Sequence, residues 1–235
     1  MAAGLGVQII LDKGQFAMFK VNQDYVTASL ASTDTQLNHI QRAVQSFQQL
    51  MVQAGSDASG PEARKILGQQ AGQLISLIDQ LANAKDANGQ YVLRRSTPGT
   101  VLVAPSIELE TGIAYVDVMG SGSQGVDVAT FLDSIRDKLL LPTPQGPSIA
   151  DFETMKVVAN QVTSAQVKAG LLQNQLDSAI EVNEAQSTNV EMERSTLLDT
   201  DLAEATASLA KSNALLQAAQ TIMSRLDINN LFTKL

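Results

Sequence analysis

The 235-residue chain is 44% hydrophobic but only 4% aromatic, with no tryptophan, so its apolar stock suits helical seams better than a bulky centre. Sixteen basic against twenty-four acidic residues give a net charge of −8, which disfavours binding to a phosphate backbone. Cysteine is absent, which excludes disulfides, thiolate metal sites and cysteine nucleophiles. No apolar stretch approaches the roughly 18 residues needed to span a bilayer. The opening Met1-Ala2-Ala3-Gly4-Leu5 lacks the basic lead and apolar run of a secretion signal, so export would need a route without a cleaved peptide.

From Leu5 to Ala54 there is no proline. Alternate steps of four and three from Leu5 through Ile9, Phe16, Phe19, Val26, Leu30, Leu37, Ile40, Val44, Phe47 and Met51 find apolar residues at eleven of fourteen positions. A 3.5-residue repeat held this long predicts a coiled-coil-like helix. Gly6 and Gly14 weaken its first turns.

Gly55-Ser56-Asp57-Ala58 interrupts the pattern. Ser59 and Glu62 stand at capping-box spacing around Pro61, which predicts a second helix with the seam Leu67, Ala71, Leu74, Ile78 and Leu81. Asp86-Ala87-Asn88-Gly89 ends it in turn formers.

The β-rich runs Tyr91–Leu93, Val101–Val103 and Ile113–Val118 predict a hairpin or a three-stranded patch. Val128 to Leu141 follows as a short amphipathic helix, stopped by Pro142, Pro144 and Pro147.

Ser148-Ile149-Ala150-Asp151 opens the last helix with another capping pattern. To about Leu226 it holds no proline and one glycine, Gly170. One seam runs Val158, Val162, Ala165, Ala169, Leu172, Leu176, Ala179, and a second runs Leu198, Leu202, Ala205, Leu209, Ser212, Leu216, Ala219, Met223, Leu226. Their one-residue offset predicts a bend, break or change of partner near Val190 to Leu198. At about 1.5 Å per residue, a continuous helix here exceeds roughly 100 Å, more than a domain of this size can cover. Each fully buried Leu or Val contributes roughly 1.5–3 kcal/mol, so the stripe after Leu198 calls for another surface, most simply other subunits.

Gly120-Ser121-Gly122-Ser123-Gln124-Gly125 fits the dinucleotide pattern G-x-G-x-x-G. A cofactor loop requires a parallel strand after the following helix, whereas here a proline-rich stop intervenes, so a connecting loop is the better reading and a nucleotide-binding enzyme the alternative. His39 is the sole histidine and flanks the seam residue Ile40. Without a second histidine or any cysteine, no catalytic, cofactor or metal site is assigned. The stretch Glu181, Glu184, Glu191, Glu193, Asp199, Asp201 and Glu204, opposed only by Arg194, reads as a solvated or intersubunit face rather than a Ca²⁺ site. Arg94-Arg95 reads as either a seat for an acidic partner or a charge-protected edge.

Three stretches resemble the flagellin superfamily, and within it the hook–filament junction (FlgL) type. Asn22 to Gly55, with Leu30-Ala31-Ser32-Thr33-Asp34-Thr35-Gln36-Leu37, is similar to that family's first core helix. Leu81 to Tyr91 resembles its helix-to-hairpin turn. Leu198-Asp199-Thr200-Asp201-Leu202-Ala203-Glu204-Ala205, Leu215 to Gln220 and the ending Asn230-Leu231-Phe232-Thr233-Lys234-Leu235 resemble its C-terminal assembly segment. Arg94-Arg95 replace residues usually small in the family, and the family's N-terminal assembly helix, with its Ser-Gly and Asp-Asp-Pro signals, has no counterpart ahead of Ala2.

The resemblance implies a mainly α, elongated antiparallel helical bundle or coiled-coil rod with a small β-hairpin insert. Its expected parts are N-terminal core helices over 1–89, a β insert over 90–127, a short helix with the first part of the long helix over 128–190, and an assembly helix over 191–235. It implies a non-enzymatic adaptor at the hook–filament junction, or else a filament flagellin. Its partners would be hook-associated protein, flagellin, copies of itself and an export chaperone, with no nucleic acid, membrane or cofactor. Its place would be the extracellular flagellum, reached through the flagellar type III apparatus. A soluble coiled-coil tether is a third reading from the residues alone. The core seam is expected at Leu30, Leu37, Ile40, Val44, Phe47, Met51, Leu172 and Leu176. The assembly interface is expected at Leu198, Leu202, Leu209, Leu216, Met223, Leu226, Leu231 and Phe232.

Overall fold

A computed structural model describes the backbone of residues 2–56, 58–121 and 125–232, and the side chains within these except 2–7, 197–199, 201 and 225–232. Its elements are α1 (Ala2–Gly55), α2 (Pro61–Ala82), β1 (Thr100–Ala104), β2 (Ile107–Glu110), α3 (Tyr115–Met119), α4 (Val128–Leu140) and α5 (Ile149–Phe232). The fold is mainly α-helical with one two-stranded antiparallel sheet among the described residues. Two compact units divide the chain: residues 17–183 form one, and residues 1–16 with 184–235 the other.

In the larger unit α1 and α5 run antiparallel. Gln23 reaches the Ala179 carbonyl at 3.4 Å, the Gln166 amide donates to Asn38 and Gln41 at 3.1 and 2.9 Å, and Phe152 lies against Gly55. The seam between the helices is apolar: Val26, Leu30, Leu37, Ile40, Val44, Phe47 and Met51 of α1 meet Val158, Val162, Ala165, Ala169, Leu172 and Leu176 of α5 in one buried cluster. Burial at this spacing, rather than intrinsic propensity, is what stabilises helices of such length.

Arg64 closes the end of α1 by donating to the carbonyls of Ala54 and Ser56, orphaned groups at a helix C-terminus. The expected capping box at Ser59 does not form. Pro61 occupies the first helical position, which makes Gly60 the N-cap. Ser59 turns back to donate to the Gln53 carbonyl at 2.6 Å, and Glu62 pairs with Lys65 instead. The second expected cap does form: Ser148 N–H donates to Asp151 at 2.7 Å, and Asp151 N–H donates to the Ser148 hydroxyl at 3.3 Å.

Helix α2 returns along α1, where Gln36 donates to the Leu81 carbonyl. It packs on α4 at Gly68, where a methyl group would approach Leu140 Cδ2 to 2.8 Å. Leu132, Ile135 and Leu139 of α4 are fully buried. An unforeseen cap starts α4, the Asp127 carboxylate accepting from Thr130 N–H at 2.9 Å.

The strand expectations need correction. Tyr91–Leu93 forms no strand: Tyr91 makes one isolated bridge to Lys85, and the chain crosses the following segment only at Arg94, paired with Ala114. Ile113–Val118 is not extended either, since Tyr115–Met119 coils into α3. A short apolar run does not distinguish a strand from a buried helix, and Gly120, at φ 69°, supplies a helix stop. The hairpin turns at Pro105-Ser106, pairing Ala104 with Ile107 and Thr100 with Glu110. Asn22 and Gln23 of α1 hold its Leu102 and Val103 carbonyls at 2.7 Å each. Lys168 of α5 ties Glu110 at 3.0 Å and Asp117 at 3.2 Å.

Helix α5 continues through Val190 to Leu198, so of the bend, break or change of partner expected from the seam offset, the break does not occur. No proline or glycine lies in that stretch to interrupt the hydrogen-bond ladder.

Candidate assembly surface

The two sets of apolar positions on the long helices have opposite surroundings. Leu30, Leu37, Ile40, Phe47 and Met51 have no exposed surface, Val44 is buried with them, and Leu172 and Leu176 are 7% and 3% exposed. In the other unit, Leu202, Leu209, Leu216 and Met223 are 61–71% exposed. The side chains of Leu198, Leu226, Leu231 and Phe232 lie outside those described.

Exposure in α5 is not confined to one stripe. Residues 202–224 are exposed at every position, and Leu215 and Ile222 are as open as the heptad positions beside them. Sequence reasoning passed over these two because it followed a single seam. Reading both i and i+1 positions for apolar character identifies them. Ile10 and Leu11 of α1 are likewise exposed, whereas Ile9 is buried. A helix with apolar residues on so much of its open surface gains little from folding alone and much from being covered.

Within this smaller unit α1 and α5 are joined through Glu191, which contacts Lys13 and Arg194. The hydrogen bonds from Arg194 and then Lys13 lower the Glu191 carboxyl from 4.5 to about 2. The pair is solvent-exposed, so it specifies register more than it stabilises. Glu181, Glu184, Glu193 and Glu204 are open to solvent, while the Asp199 and Asp201 side chains lie outside those described.

The glycine loop serves the fold. Gly120 is the C-cap of α3, and a Cβ there would sit 2.0 Å from the Val126 carbonyl oxygen. Gly125, at φ 76°, lets the chain press on Gln161 of α5. The Gln161 amide accepts from Val126 N–H at 3.1 Å and donates to the Val118 and Val126 carbonyls at 3.0 and 3.3 Å. Gly120 and Gly125 thus admit a side-chain clamp from a helix, and among the described residues no parallel strand follows α4 as a dinucleotide site demands. Residues 122–124 of the motif lie outside the described ones.

His39 is exposed on α1, and among the described residues no group of three His, Asp or Glu is placed to hold a metal ion. No helix among them is long and apolar enough to cross a membrane. Arg94 is directed at α1, donating to Ser29 Oγ at 3.0 Å and Tyr25 OH at 3.3 Å. Arg95 lies over the rings of Tyr91 and Tyr115, 4.9 and 4.0 Å from their centroids.

Comparison with known proteins gives this arrangement a context. Residues 2–97 match the family model of the bacterial flagellin N-terminal helical region, and residues 153–233 match that of the bacterial flagellin C-terminal helical region. The chain is 23% identical over 234 residues to a flagellin of Bacillus subtilis (strain 168), across 88% of this chain and 75% of that protein. Its fold is similar to flagellar hook associated protein-3 from Legionella pneumophila, with a TM-score of 0.67 and 13% identity, covering 82% of this chain and 99% of the other. It is also similar to the flagellar junction protein FlgL from Legionella pneumophila, with a TM-score of 0.61 and 12% identity, covering 81% and 98%. With a matching helical region at each end, the buried two-helix seam and small hairpin between them, and an uncovered stripe on α5, the chain belongs to the flagellin superfamily of flagellar structural subunits.

Proposed function

We propose that the subunit is an adaptor at the junction between hook and filament, bundling α5 with the helices of neighbouring subunits. The observation that carries this reading is the open run 202–224, where Leu202, Leu209, Leu216 and Met223 repeat at heptad spacing without cover. Leu198, Leu226, Leu231 and Phe232 extend the same interface. The neighbours are hook-associated protein on one side, flagellin on the other, and copies of the chain around the ring. An export chaperone is a further expected partner. No catalytic step, cofactor or metal enters this function.

The junction position is supported by the likeness of the fold to hook-associated and junction proteins, and by the Asp86–Tyr91 turn and Leu231–Leu235 ending. Filament flagellin is the second reading, favoured by the Bacillus subtilis relative. Immunogold labelling of intact flagella separates them. One band at the hook's distal end is the expected result, and label along the filament assigns the chain to the filament instead.

A further inference from the structure

All three tyrosines of the chain, Tyr25, Tyr91 and Tyr115, gather around three cations, Lys85, Arg94 and Arg95. Lys85 and Arg95 each lie over the Tyr91 ring, 4.8 and 4.9 Å from its centroid. The Arg94 guanidinium spends its hydrogen bonds on neutral oxygens only, those of Gln90, Tyr91, Tyr25 and Ser29. Among the described residues none of the three cations has a carboxylate within 4.0 Å, on a chain whose net charge is −8. Asp86 is the acid at the edge of this patch, and its Oδ1 accepts from the Asn88 and Gln90 N–H groups. Tyr25, Tyr91, Lys85 and Arg95 are exposed.

An unpaired acidic face lies at the same level of the same unit. Asp177 and Glu181 stand one turn apart on α5, both exposed and without an ion pair among the described residues. Gln23 of α1 touches the Ala179 carbonyl, which sets Tyr25 level with Asp177 and Glu181 along the helix pair. Tyrosine and arginine are enriched where proteins meet, and complementary charge fixes register and partner choice.

We propose that the Tyr25–Tyr91–Tyr115 patch, with Lys85, Arg94 and Arg95, receives the Asp177–Glu181 face of α5 from a second copy of the chain. Because donor and acceptor surfaces differ but share one level, the contact is head-to-tail and passes from copy to copy with little axial stagger, closing as a ring or continuing as a shallow helix. It stands whichever of the two positions in the flagellum the subunit occupies, and it is distinct from apolar bundling by residues 202–224.

Sedimentation of the full chain across concentration and salt tests it. Ionic contacts weaken with added NaCl, whereas association through the apolar stripe does not, so the two contributions separate. The expected result is salt-weakened self-association, with Arg95→Glu and Glu181→Arg each raising the dissociation constant about tenfold or more. The chain carrying both changes recovers most of the loss. The protein has no cysteine, so Arg95→Cys and Glu181→Cys chains, mixed and oxidised, are also expected to form a disulfide-linked heterodimer in excess over either homodimer. A chain that stays monomeric at low salt, single reversals without effect, or a double reversal that does not recover overturns the proposal. Glu181→Arg without effect beside an effective Arg95→Glu likewise overturns it, since the patch is then filled by something other than the Asp177–Glu181 face.

Discussion

Lys138 Nζ bonds both oxygens of the Asp151 carboxylate, at 2.7 and 2.8 Å, and so joins the end of α4 to the start of α5. The same carboxylate accepts from the Ser148 backbone N–H and hydroxyl, at 2.7 and 2.8 Å. Burial pushes the Asp151 carboxyl up, but the Lys138 and Ser148 hydrogen bonds outweigh it and hold the carboxyl below 3.8. A lowered carboxyl stabilises the fold above its unfolded pKa, and that stabilisation fades as pH falls through the folded one. Stability of the wild type is therefore expected to drop below about pH 4, and Asp151→Asn to remove part of that dependence. At neutral pH Asp151→Ala is expected to cost about 1–3 kcal/mol, from the lost cap and the stranded ammonium, measured by urea unfolding.

Gly120 and Gly170 make a contrasting pair. Gly120→Ala forces a methyl group against a backbone carbonyl at positive φ, and a loss of about 2–4 kcal/mol is expected. Gly170 lies inside α5 with nothing within 4 Å of a built Cβ. Gly170→Ala is expected to raise stability by about 0.5–1 kcal/mol, read as a higher melting temperature.

Phe47→Ala and Leu209→Asp divide folding from assembly. Phe47 is fully buried in the α1–α5 seam, so its truncation is expected to cost about 3–5 kcal/mol. Leu209 is 63% exposed, so Leu209→Asp is expected to alter monomer stability by less than about 0.5 kcal/mol. The same change is expected to abolish incorporation into flagella. Circular dichroism together with microscopy of complemented cells measures both, and normal incorporation of Leu209→Asp contradicts the proposed interface.

Ser106 holds φ 62° in the hairpin turn after Pro105, a conformation that disfavours a side chain. Ser106→Gly is expected to stabilise by up to about 1 kcal/mol and Ser106→Val to destabilise by about the same, both read by thermal unfolding.

The long helices were legible because Leu30 to Met51 and Val158 to Leu176 repeat with a period that survives burial unchanged. The hairpin region was less so. Tyr115 to Met119 is apolar but for Asp117, too short to show a period, and its docking beneath Arg94 and Gln161 decides that it coils. The Ser59 cap was lost to the stronger local constraint of Pro61. The tyrosine cluster was invisible in sequence, since residues 25, 91 and 115 meet only after α1 has been brought against the chain that follows α2.

Gln23 at Ala179 and Gln166 at Asn38 and Gln41 act as index marks between two smooth apolar rails. Leucine against leucine tolerates sliding, but amides fit only one setting. Deleting a single residue between Gln166 and Leu172 rotates everything beyond it by about 100°, turning Leu172 and Leu176 outward. Inserting seven residues there returns the apolar face almost to its place yet leaves the glutamines two turns out of step. Length variation between α1 and α5 is therefore expected to be tolerated in the hairpin and loops rather than within the paired rails themselves.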